Sequence, residues 1–340
     1  MQYAVAGVYH LYFGDASRHP IVGNYLRSVT DLPQQIVLTE VPASRLARAF
    51  ALIKGVWALR EQRDWALQCH DVVAGVLGSL LWKGRIIYDS HEIYSSFARR
   101  KLVGRVIRLL EEFAIRRSTV IVFPSVYRSE YYDLSNCDVR IVENLYYPYE
   151  RIAKGAPYQH ATDSTRDSHS PMFVYTGLFT PARAIEEIVS AFRSPRLQDS
   201  RLVLAGKETS YLTALMLDAT PNVEYAGELT HAEVSELLKS ADAGFALYKP
   251  VNENNKRCAP TKIFEFLYFG VHVIASRSPY IMEIKERCGG IPITAIGGID
   301  TDSIVDACCE IEISGKSVDS HLRAEVCWDS QMTAVKSLYM

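Results

Sequence analysis

With 340 residues, the chain is longer than one hydrophobic core usually accommodates, and its length predicts two domains. Hydrophobic residues make up 48% and charged residues 22%, which is the balance of a soluble globular protein. The formal net charge of −2 excludes the overall basic field that would indicate a nucleic-acid-binding protein.

Short apolar runs alternate with helical patterns through the first half of the chain. The helical patterns cover residues 43–63, 72–82 and 99–117. The strand-like runs, rich in β-branched and aromatic residues, are YAVAGVYHLYF, QQIVLTEV, WALQCHD, GRIIYDSHE, TVIVFPS and VRIVENL. This alternation predicts a parallel sheet with helices on both faces, and therefore an α/β fold.

The second half repeats this plan. Its strand-like runs are MFVYTG, RLVLAG, NVEYAG, AGFALY and VHVIAS, and three of them end in glycine, as a tight turn after a strand requires. In THAEVSELLKSAD, Thr230 and Glu233 have the spacing of a helix capping box.

The two halves meet in a polar segment without periodicity, RIAKGAPYQHATDSTRDSHSP, which has the composition of a linker or of a long loop within one domain. The closing segment VCWDSQMTAVKSLYM has a helical apolar stripe that needs a surface to cover. We therefore predict a first domain over 1–150, a linker over 151–170, a second domain over 171–325, and a helix over 326–340 that crosses back to the first domain.

Seven cysteines are scattered along the chain without a C-x-x-C pair, which predicts buried free thiols in a reducing compartment and offers no zinc-ligand spacing. The opening residues lack the features of a signal peptide, and no apolar run approaches the roughly 20 residues that span a bilayer. We expect a cytoplasmic protein, with a peripheral position at the inner face of the membrane as an open alternative.

The stretch CAPTKIFEFLYFGVHVIAS carries a lone acid, Glu265, among apolar residues. Pro260 suits the first turn of a helix, and the amides of residues 261–263 would then form an anion site next to the positive charge of Lys262. A carboxylate one turn later, at Glu265, can accept hydrogen bonds from the vicinal hydroxyls of a ribose. The alternative is an edge-exposed acid on a core helix.

The stretch APTKIFEFLYFGVHVIAS resembles the pattern SPNKLFEYMAAGKPVIAS of GT-B glycosyltransferases, in the large family 4 group. The segment FVYTGLFTPARAIEEIVSAF resembles a second pattern of that family, YVGxLxxxRGIExLIEAF. The first half matches more loosely, through HD at 70–71, IIYDSHEIYSS and RIVENLYYP, so that the resemblance spans roughly 65 to 340. It implies two Rossmann-like domains that face a central cleft.

The resemblance also implies a nucleotide-diphosphate sugar donor bound in the second domain. Glu265 matches the ribose-binding glutamate, and Thr261 and Lys262 fall at the helix tip that binds the diphosphate. Arg183 matches a basic residue that would neutralise the leaving group; the alternative is an exposed arginine at a helix start. The other donor-side candidates are Gly177, Lys207, Arg257 and Asn255.

Two positions depart from the family pattern. Arg257 stands where many members have the first of two glutamates, so the loop NENNKR at 252–257 must supply other contacts to the sugar. Leu178 stands where many relatives have an arginine. These departures keep open a catalytically degenerate protein that only binds sugar nucleotides or glycans.

On the acceptor side, the resemblance implies a role for His91 near the transferred sugar. Glu92 is a neighbouring candidate, although a cap for the next helix is the favoured interpretation. His70 and Asp71 are candidates for the same region, with a helix cap by Asp71 as the alternative. Asn144 matches a family asparagine near the hinge, and a structural turn is the favoured interpretation.

Family 4 enzymes are generally retaining and need no bound metal, and the chain has no D-x-D tract. The resemblance therefore implies metal-independent transfer of a sugar to a hydroxyl of a glycan or glycolipid, without a further cofactor, in bacterial surface polysaccharide or lipopolysaccharide assembly. A nucleotide-sugar epimerase is the rival enzyme. A dehydrogenase is disfavoured because no G-x-G-x-x-G follows a strand, and a glycosidase because no carboxylate pair stands out.

The segment 99–117 is locally basic and has apolar residues at helical spacing. This pattern fits an amphipathic helix on an anionic membrane surface, and equally a sheet-packing helix with a solvated basic face.

Overall fold

The computed structural model describes residues 4–15, 19–38, 42–148, 170–216, 219–287, 292–311 and 320–340. The chain forms two compact units. Unit 1 comprises Met1–Asn144, Asn252–Ala259 and Trp328–Met340, and unit 2 comprises Leu145–Val251 and Pro260–Cys327. Residues 151–169 of the predicted linker lie outside the described residues. The predicted domain boundaries and the cleft between the domains stay predictions.

Unit 1 contains a six-stranded parallel sheet in the order β2-β1-β3-β4-β5-β6. The strands are β1 Gly7–Tyr12, β2 Gln34–Ile36, β3 Trp65–His70, β4 Ile86–Asp89, β5 Val120–Phe123 and β6 Val139–Ile141. The opening run of the sequence therefore forms an inner strand, because β1 pairs with both β2 and β3.

The α-helices of unit 1 are α1 Pro20–Ser28, α2 Arg45–Leu59, α3 Val72–Leu81, α4 Lys101–Arg117, α5 Val126–Ser129, α9 Glu253–Lys256 and α14 Met332–Ser337. The three long helices predicted for this half are present with shorter bounds. For α2 the reason is local, since the Ser44 side chain accepts a hydrogen bond from the Ala47 amide and fixes the start of the helix.

Two glycines bring α3 close to the sheet of unit 1. A Cβ atom at Gly78 would lie 2.5 Å from the Cys69 sulfur on β3, and one at Gly75 would lie 2.6 Å from the Tyr88 ring on β4. This close packing holds the start of α3 beside the carboxyl ends of β3 and β4.

The end of the chain packs within unit 1. The Trp328 indole donates a hydrogen bond to the Ser28 hydroxyl at 3.1 Å, and the buried Tyr339 hydroxyl donates to the Gln68 side chain at 2.7 Å. The closing segment thus contacts both α1 and β3.

Unit 2 contains a second six-stranded parallel sheet, in the order β12-β11-β10-β7-β8-β9. Its strands are β7 Met172–Thr176, β8 Arg201–Ala205, β9 Val223–Gly227, β10 Ala243–Ala246, β11 His272–Ser276 and β12 Ile293–Ile296. Its α-helices are α6 Ile185–Ala191, α7 Ser210–Met216, α8 His231–Ser240, α10 Thr261–Tyr268, α11 Pro279–Arg287, α12 Thr301–Cys309 and α13 Ser320–Glu325. The capping box predicted at Thr230 and Glu233 is confirmed.

The core of unit 2 lies around β7, β8 and β10, and includes the buried rings of Phe173, Phe192 and Phe245. On the other side of β10, the buried Phe266 ring of α10 packs against Gly244, where a Cβ atom would lie only 2.6 Å from the ring. α10 is therefore held against the centre of the sheet.

The described chain also contains 3-10 turns at Tyr94–Phe97, Pro181–Arg183, Pro195–Leu197 and Trp328–Gln331. Among the helices of the described residues, none combines the length and the apolar character that crossing a bilayer needs.

The described cysteines are free thiols, and Cys288 lies outside the described residues. Cys69, Cys308 and Cys327 are buried as predicted, and Cys137 and Cys258 are half-buried. The prediction of burial is wrong for Cys309, which is exposed as the last residue of α12.

Candidate active site

The candidate donor site lies in unit 2, at the edge of the sheet where its parallel strands end. Gly177 follows β7, and Tyr248 follows β10 after one further residue. The α10 helix, which carries Lys262 and Glu265, begins at Thr261. Because the carboxyl ends of parallel strands share one edge, these residues come from distant parts of the sequence to one region.

The start of α10 differs in two details from the sequence prediction. Pro260 has extended backbone angles (φ −73°, ψ 125°) and precedes the helix, so it does not belong to the first turn. The Ile263 amide donates to the Pro260 carbonyl at 3.3 Å, and is therefore not part of an open anion site. For the amides of Thr261 and Lys262, no hydrogen-bond acceptor is found within the described ranges.

The Lys262 side chain runs under the loop that follows β7. Its ammonium lies 4.4 Å from the centre of the Tyr175 ring, and a Cβ atom at Gly177 would lie only 2.4 Å from Nζ. Gly177 also has a φ of +115°, which side chains rarely adopt. Glycine is thus required there both for the turn and for the approach of the ammonium.

The environment of the Lys262 ammonium disfavours its charged form. Burial lowers its pKa to about 7, while Glu265 acts in the opposite direction and Arg183 in the same direction. A bound anion would restore the charged form, so this position favours a negatively charged ligand.

Arg183 lies in the short 3-10 turn between β7 and α6. Its guanidinium stacks on the Tyr248 ring, with 3.8 Å between Cζ and the ring centre. The buried Nη1 atom has no hydrogen-bond partner among the described residues. A buried donor without an acceptor is costly, and an incoming ligand oxygen could satisfy it.

Three other donor-side candidates lie in the same region of unit 2 and are half-buried or exposed. Glu265 is half-buried on α10, close enough to Lys262 to influence its pKa. Thr261 is exposed at the helix start. Lys207 is exposed in the loop after β8, at the same edge of the sheet, and its side chain has no hydrogen bond or ion pair within the described ranges.

The acceptor-side candidates His70 and His91 lie together in unit 1. His70 ends β3, and its Nδ1 atom lies 3.0 Å from Nε2 of His91 and 3.2 Å from Oδ2 of Asp89 at the end of β4. His91 is therefore part of a buried cluster, and its role near the transferred sugar stays a prediction.

Sequence reasoning missed three members of this cluster. His10 on β1 places Nδ1 at 3.0 Å from Nε2 of His70, and Asp89 accepts a hydrogen bond from Gln68 at 3.1 Å. The His19 ring packs edge-on against His91, with ring centres 4.7 Å apart. For His10 and Asp89, the available signal was polar residues within apolar strand runs, in YHLYF and IIYDSHE.

Burial controls the protonation of the cluster. It lowers the pKa of His10 and of His91 to about 3 and that of His19 to about 4, with Asp89 opposing in each case. Burial alone would raise the pKa of Asp89, but His91, His70 and Gln68 together hold it at about 2. The Nδ1 atoms of His19 and His91 are buried and have no partner among the described residues.

The helix-cap interpretation holds for Asp71 but not for Glu92. Asp71 caps α3, accepting hydrogen bonds from the amides of Val73 and Ala74 at 2.9 and 3.1 Å. Burial raises its pKa to about 7 despite those bonds. Glu92 caps no helix, since the following turn Tyr94–Phe97 has no side-chain cap, and its buried Oε2 lacks a partner in the described chain.

The loop 252–259 belongs to unit 1, although the sequence placed it in the second domain. The Arg257 guanidinium donates to the Tyr127 carbonyl at 2.9 Å and lies 3.4 Å from the Glu130 carboxylate. The Asn255 amide donates to the Asn252 side chain at 2.8 Å, which caps α9. Roles for Arg257 and Asn255 in donor binding stay predictions.

Two further asparagines position this loop. The Asn254 side chain, which the sequence did not single out, accepts a hydrogen bond from the Ile93 amide at 2.8 Å. The Asn144 side chain donates to the Ala259 carbonyl at 2.8 Å. Asn144 thus holds the 252–259 loop, and the turn role that the sequence favoured stays a prediction.

Residues 170–311, the greater part of unit 2, match the family model described as "Glycosyl transferases group 1". No curated protein matches the chain. Together with the two Rossmann-like sheets, this match confirms the resemblance to group 1 glycosyltransferases of GT-B fold.

Solved structures are similar in fold over nearly all of the chain. Sucrose-phosphate synthase from Thermosynechococcus elongatus is 13% identical, with a TM-score of 0.73 and coverage of 98% of both chains. HepE from Anabaena in complex with UDP-glucose is 14% identical, with a TM-score of 0.66 and again 98% coverage of both. The UDP-forming α,α-trehalose-phosphate synthase from Burkholderia xenovorans, in complex with glucose-6-phosphate, is 12% identical, with a TM-score of 0.60 and coverage of 96% of this chain and 84% of that one.

Proposed function

We propose that the protein is a retaining glycosyltransferase that moves a sugar from a nucleotide-diphosphate donor to a hydroxyl of a glycan or glycolipid. The observation that carries this proposal is the pair of cations in unit 2: the buried, unpartnered Nη1 of Arg183 and the strained ammonium of Lys262. The similar protein HepE is described in complex with UDP and with UDP-glucose. A diphosphate is the ligand whose charge and oxygens would satisfy both groups.

In the proposed reaction, the bond between the anomeric carbon and the diphosphate oxygen breaks, and the acceptor oxygen forms a bond to the same face of that carbon. The acceptor proton passes to the departing phosphate. Arg183 and Lys262 stabilise the negative charge that develops on the leaving group, together with the amides of Thr261 and Lys262. The fixed cations serve the diphosphate in this scheme, so the transfer step needs no metal at that position and no further cofactor.

The other site residues take supporting roles. Gly177 gives the diphosphate access to Lys262, Glu265 accepts hydrogen bonds from the ribose, and Lys207 adds positive charge at the sheet edge. We assign Arg257 and Asn255 to the donor sugar. We assign His91, with Glu92, His70 and Asp71, to the acceptor side.

The experiment that tests this proposal is incubation of the purified chain with a panel of sugar nucleotides, with and without glycan and lipid-linked acceptors. A transferase releases nucleoside diphosphate faster when its acceptor is present. An epimerase yields an altered sugar nucleotide without an acceptor, and a degenerate protein binds the donor without turnover. Either of the last two results would contradict the proposal.

We also propose a peripheral position at an anionic membrane surface on the cytoplasmic side, which suits an acceptor from surface polysaccharide or lipopolysaccharide assembly. The outer face of α4 exposes apolar side chains, among them Leu102 and Leu109 at 71% and 65%. The acids of α4 are already engaged, because buried Glu111 accepts a hydrogen bond from Tyr88 and Glu112 pairs with Arg108. The remaining cations of α4 are therefore available to lipid head groups.

Neighbouring helices of unit 1 extend this apolar surface. On α2, Leu46 and Phe50 are exposed at 78% and 73%, and Trp57 is also exposed. The α3 helix packs against both α2 and α4 and exposes Leu80. Exposed apolar side chains on three packed helices, together with the cations of α4, fit a membrane better than bulk water.

A further inference from the structure

Three potential metal ligands in unit 1 lie at mutual distances that suit one metal ion. The distances are 3.0 Å from His70 Nδ1 to His91 Nε2, 3.2 Å from His70 Nδ1 to Asp89 Oδ2, and 3.6 Å from His91 Nε2 to Asp89 Oδ2. A tetrahedral ion with bonds of about 2.0 Å holds its ligand atoms about 3.3 Å apart. The three atoms therefore approximate one face of such a tetrahedron.

The hydrogen-bond chain behind the cluster fixes the tautomer of His10. The Gln34 side-chain nitrogen donates to the carbonyls of Tyr25 and Val29 at 3.2 and 2.6 Å, so the Gln34 oxygen faces Nε2 of His10 at 2.8 Å. Nε2 of His10 must then carry a proton and donate it. A charged His10 would be a fully buried cation with only neutral hydrogen-bond partners, so its Nδ1 atom is an acceptor.

The tautomer of His70 follows from that of His10. Since Nδ1 of His10 accepts, Nε2 of His70 donates to it across 3.0 Å. A neutral His70 then turns the bare lone pair of Nδ1 toward both the Asp89 carboxylate and Nε2 of His91. The lone pair of His70 Nδ1 and the Asp89 carboxylate repel one another unless a cation lies between them, and a proton on Nε2 of His91 would satisfy only the His70 lone pair.

We propose that His70, Asp89 and His91 bind one divalent transition-metal ion, and that Zn²⁺ is the best match for two imidazoles and one carboxylate. The competing cation is a proton on His70 Nδ1. A proton on His70 Nδ1 can form one linear hydrogen bond, to one acceptor. Nε2 of His91 and Oδ2 of Asp89 are 3.6 Å apart, which is too far for a hydrogen bond between them. A metal ion satisfies the three ligand atoms together.

The surroundings of the ligands fit this assignment. Metal-bound histidines usually donate their other ring N–H, and their carboxylate partners are held by further hydrogen bonds. His70 donates to His10, and Asp89 accepts from Gln68, whose oxygen in turn accepts from the Tyr339 hydroxyl. His70 and Asp89 are paired in register on β3 and β4, so two of the ligands stand on a rigid support.

Metal binding would also define the state of His91. With Nε2 on the ion, the proton of His91 must lie on Nδ1, which is buried and has no partner among the described residues. The ion would thus present His91 as a hydrogen-bond donor, and three protein ligands would leave one coordination position for a water or a hydroxyl group. The proposal concerns unit 1 alone and does not depend on the proposed transferase activity.

The test uses the full chain, dialysed against a chelator and then titrated with Zn²⁺ alone, with metal content measured by atomic emission. We expect one Zn²⁺ per chain and an increase in the thermal unfolding midpoint on loading. Asp89→Asn and His91→Asn should lose the stoichiometric binding. Gln68→Met, which removes only a supporting hydrogen bond, should weaken binding by about 10- to 100-fold.

The matched control is His272→Asn, because His272 is a partly buried histidine of unit 2 whose ring bonds to Thr294. This variant should bind Zn²⁺ like the unaltered chain. Co²⁺ in place of Zn²⁺ should give the intense visible absorption of tetrahedral coordination in the unaltered chain, a reading that does not require any variant to fold. If the chelated, unaltered chain takes up no stoichiometric Zn²⁺ and its unfolding midpoint is unchanged by the metal, the cation of this cluster is a proton and the proposal is wrong.

Discussion

At the scale of single residues, Lys262 links the sequence pattern to the proposed chemistry. The pattern APTKIFEF placed a lysine at a helix start, but it gave no indication that the ammonium would lie over Tyr175 and under Gly177. Those partners come from a strand some 85 positions earlier, and sequence spacing contains no information on their distance.

Replacing Lys262 should lower turnover without unfolding the protein. We expect Lys262→Met to reduce the rate of sugar transfer by about 10²- to 10³-fold, because it removes charge stabilisation of the leaving diphosphate. Steady-state kinetics with the active donor measures the change. Lys239→Met on α8, where the lysine pairs with Glu236 at the surface, is the control and should leave the rate unaltered. Equal rates in the two variants would contradict the assignment.

The lowered pKa of Lys262 predicts a pH dependence of donor binding. The protonated ammonium binds the anion, and with a pKa of about 7 in the free protein its protonated fraction falls as the pH rises above 7. Affinity for a nucleoside diphosphate should therefore decrease between pH 7 and 9, where the diphosphate itself keeps its charge. Calorimetry across this range should show a pH-independent affinity for Lys262→Met. A pH-independent affinity in the unaltered chain would show that the pKa of Lys262 is not lowered.

The histidine cluster shows why some site residues could not be predicted. His70 and His91 were identified through the HD and YDSHE patterns, whereas His10 belongs to an opening run that resembled no family pattern. Its partnership with His70 depends on β1 pairing with β3, and strand order within a sheet cannot be read from the runs themselves.

At the scale of elements, alternating apolar runs predicted the parallel strands and long helices well, and failed for short elements. The α9 helix at Glu253–Lys256 has four residues, too few to show a 3.6-residue period, so the sequence predicts a loop there. Asn252 caps it through the Asn255 amide, and Asn254 ties it to Ile93. Such a contact fixes the place of a loop and leaves no periodic signal.

The placement of α10 on the sheet depends on Gly244. Gly244→Ala would drive a Cβ atom into the buried Phe266 ring, at 2.6 Å, and overpacking of this kind costs about 1–3 kcal/mol of unfolding free energy. Urea unfolding of the variant measures this loss. Gly297→Ala is the control in the same unit, since a Cβ atom there meets no atom within 4 Å. Similar stability in both variants would show that the ring yields and that α10 is not held by this contact.

The basic helix α4 predicts binding to anionic vesicles. Reversing the charges at and just before its start with Arg100→Glu, Lys101→Glu and Arg105→Glu together should move the protein from the lipid fraction to the soluble fraction in flotation with phosphatidylserine vesicles, because each cation contributes about 1 kcal/mol. Lys239→Glu on α8 is the control. Flotation of the unaltered chain that does not respond to anionic lipid would reject the membrane proposal.

At the scale of the whole molecule, the repeat of one architecture in both halves was predictable because each half buries its own sheet. The composition of the units was less predictable, since unit 1 gathers residues 252–259 and 328–340 from far along the chain. The apolar stripe of the closing helix indicated that it needed a surface. The residues that anchor it, Ser28 and Gln68, became visible only in the folded chain.

The most direct measurement of the central claim, that unit 2 holds a diphosphate on Arg183 and Lys262, is calorimetric titration with UDP, GDP and inorganic pyrophosphate. The account predicts binding of a nucleoside diphosphate at one site per chain. Arg183→Ala and Lys262→Met should each weaken the binding of the nucleotide and of pyrophosphate by about 10- to 100-fold. Glu265→Ala should weaken only the binding of the nucleotide, because Glu265 is proposed to contact its ribose. Failure of the unaltered chain to bind either nucleotide, or unchanged affinities in the Arg183 and Lys262 variants, would contradict the account.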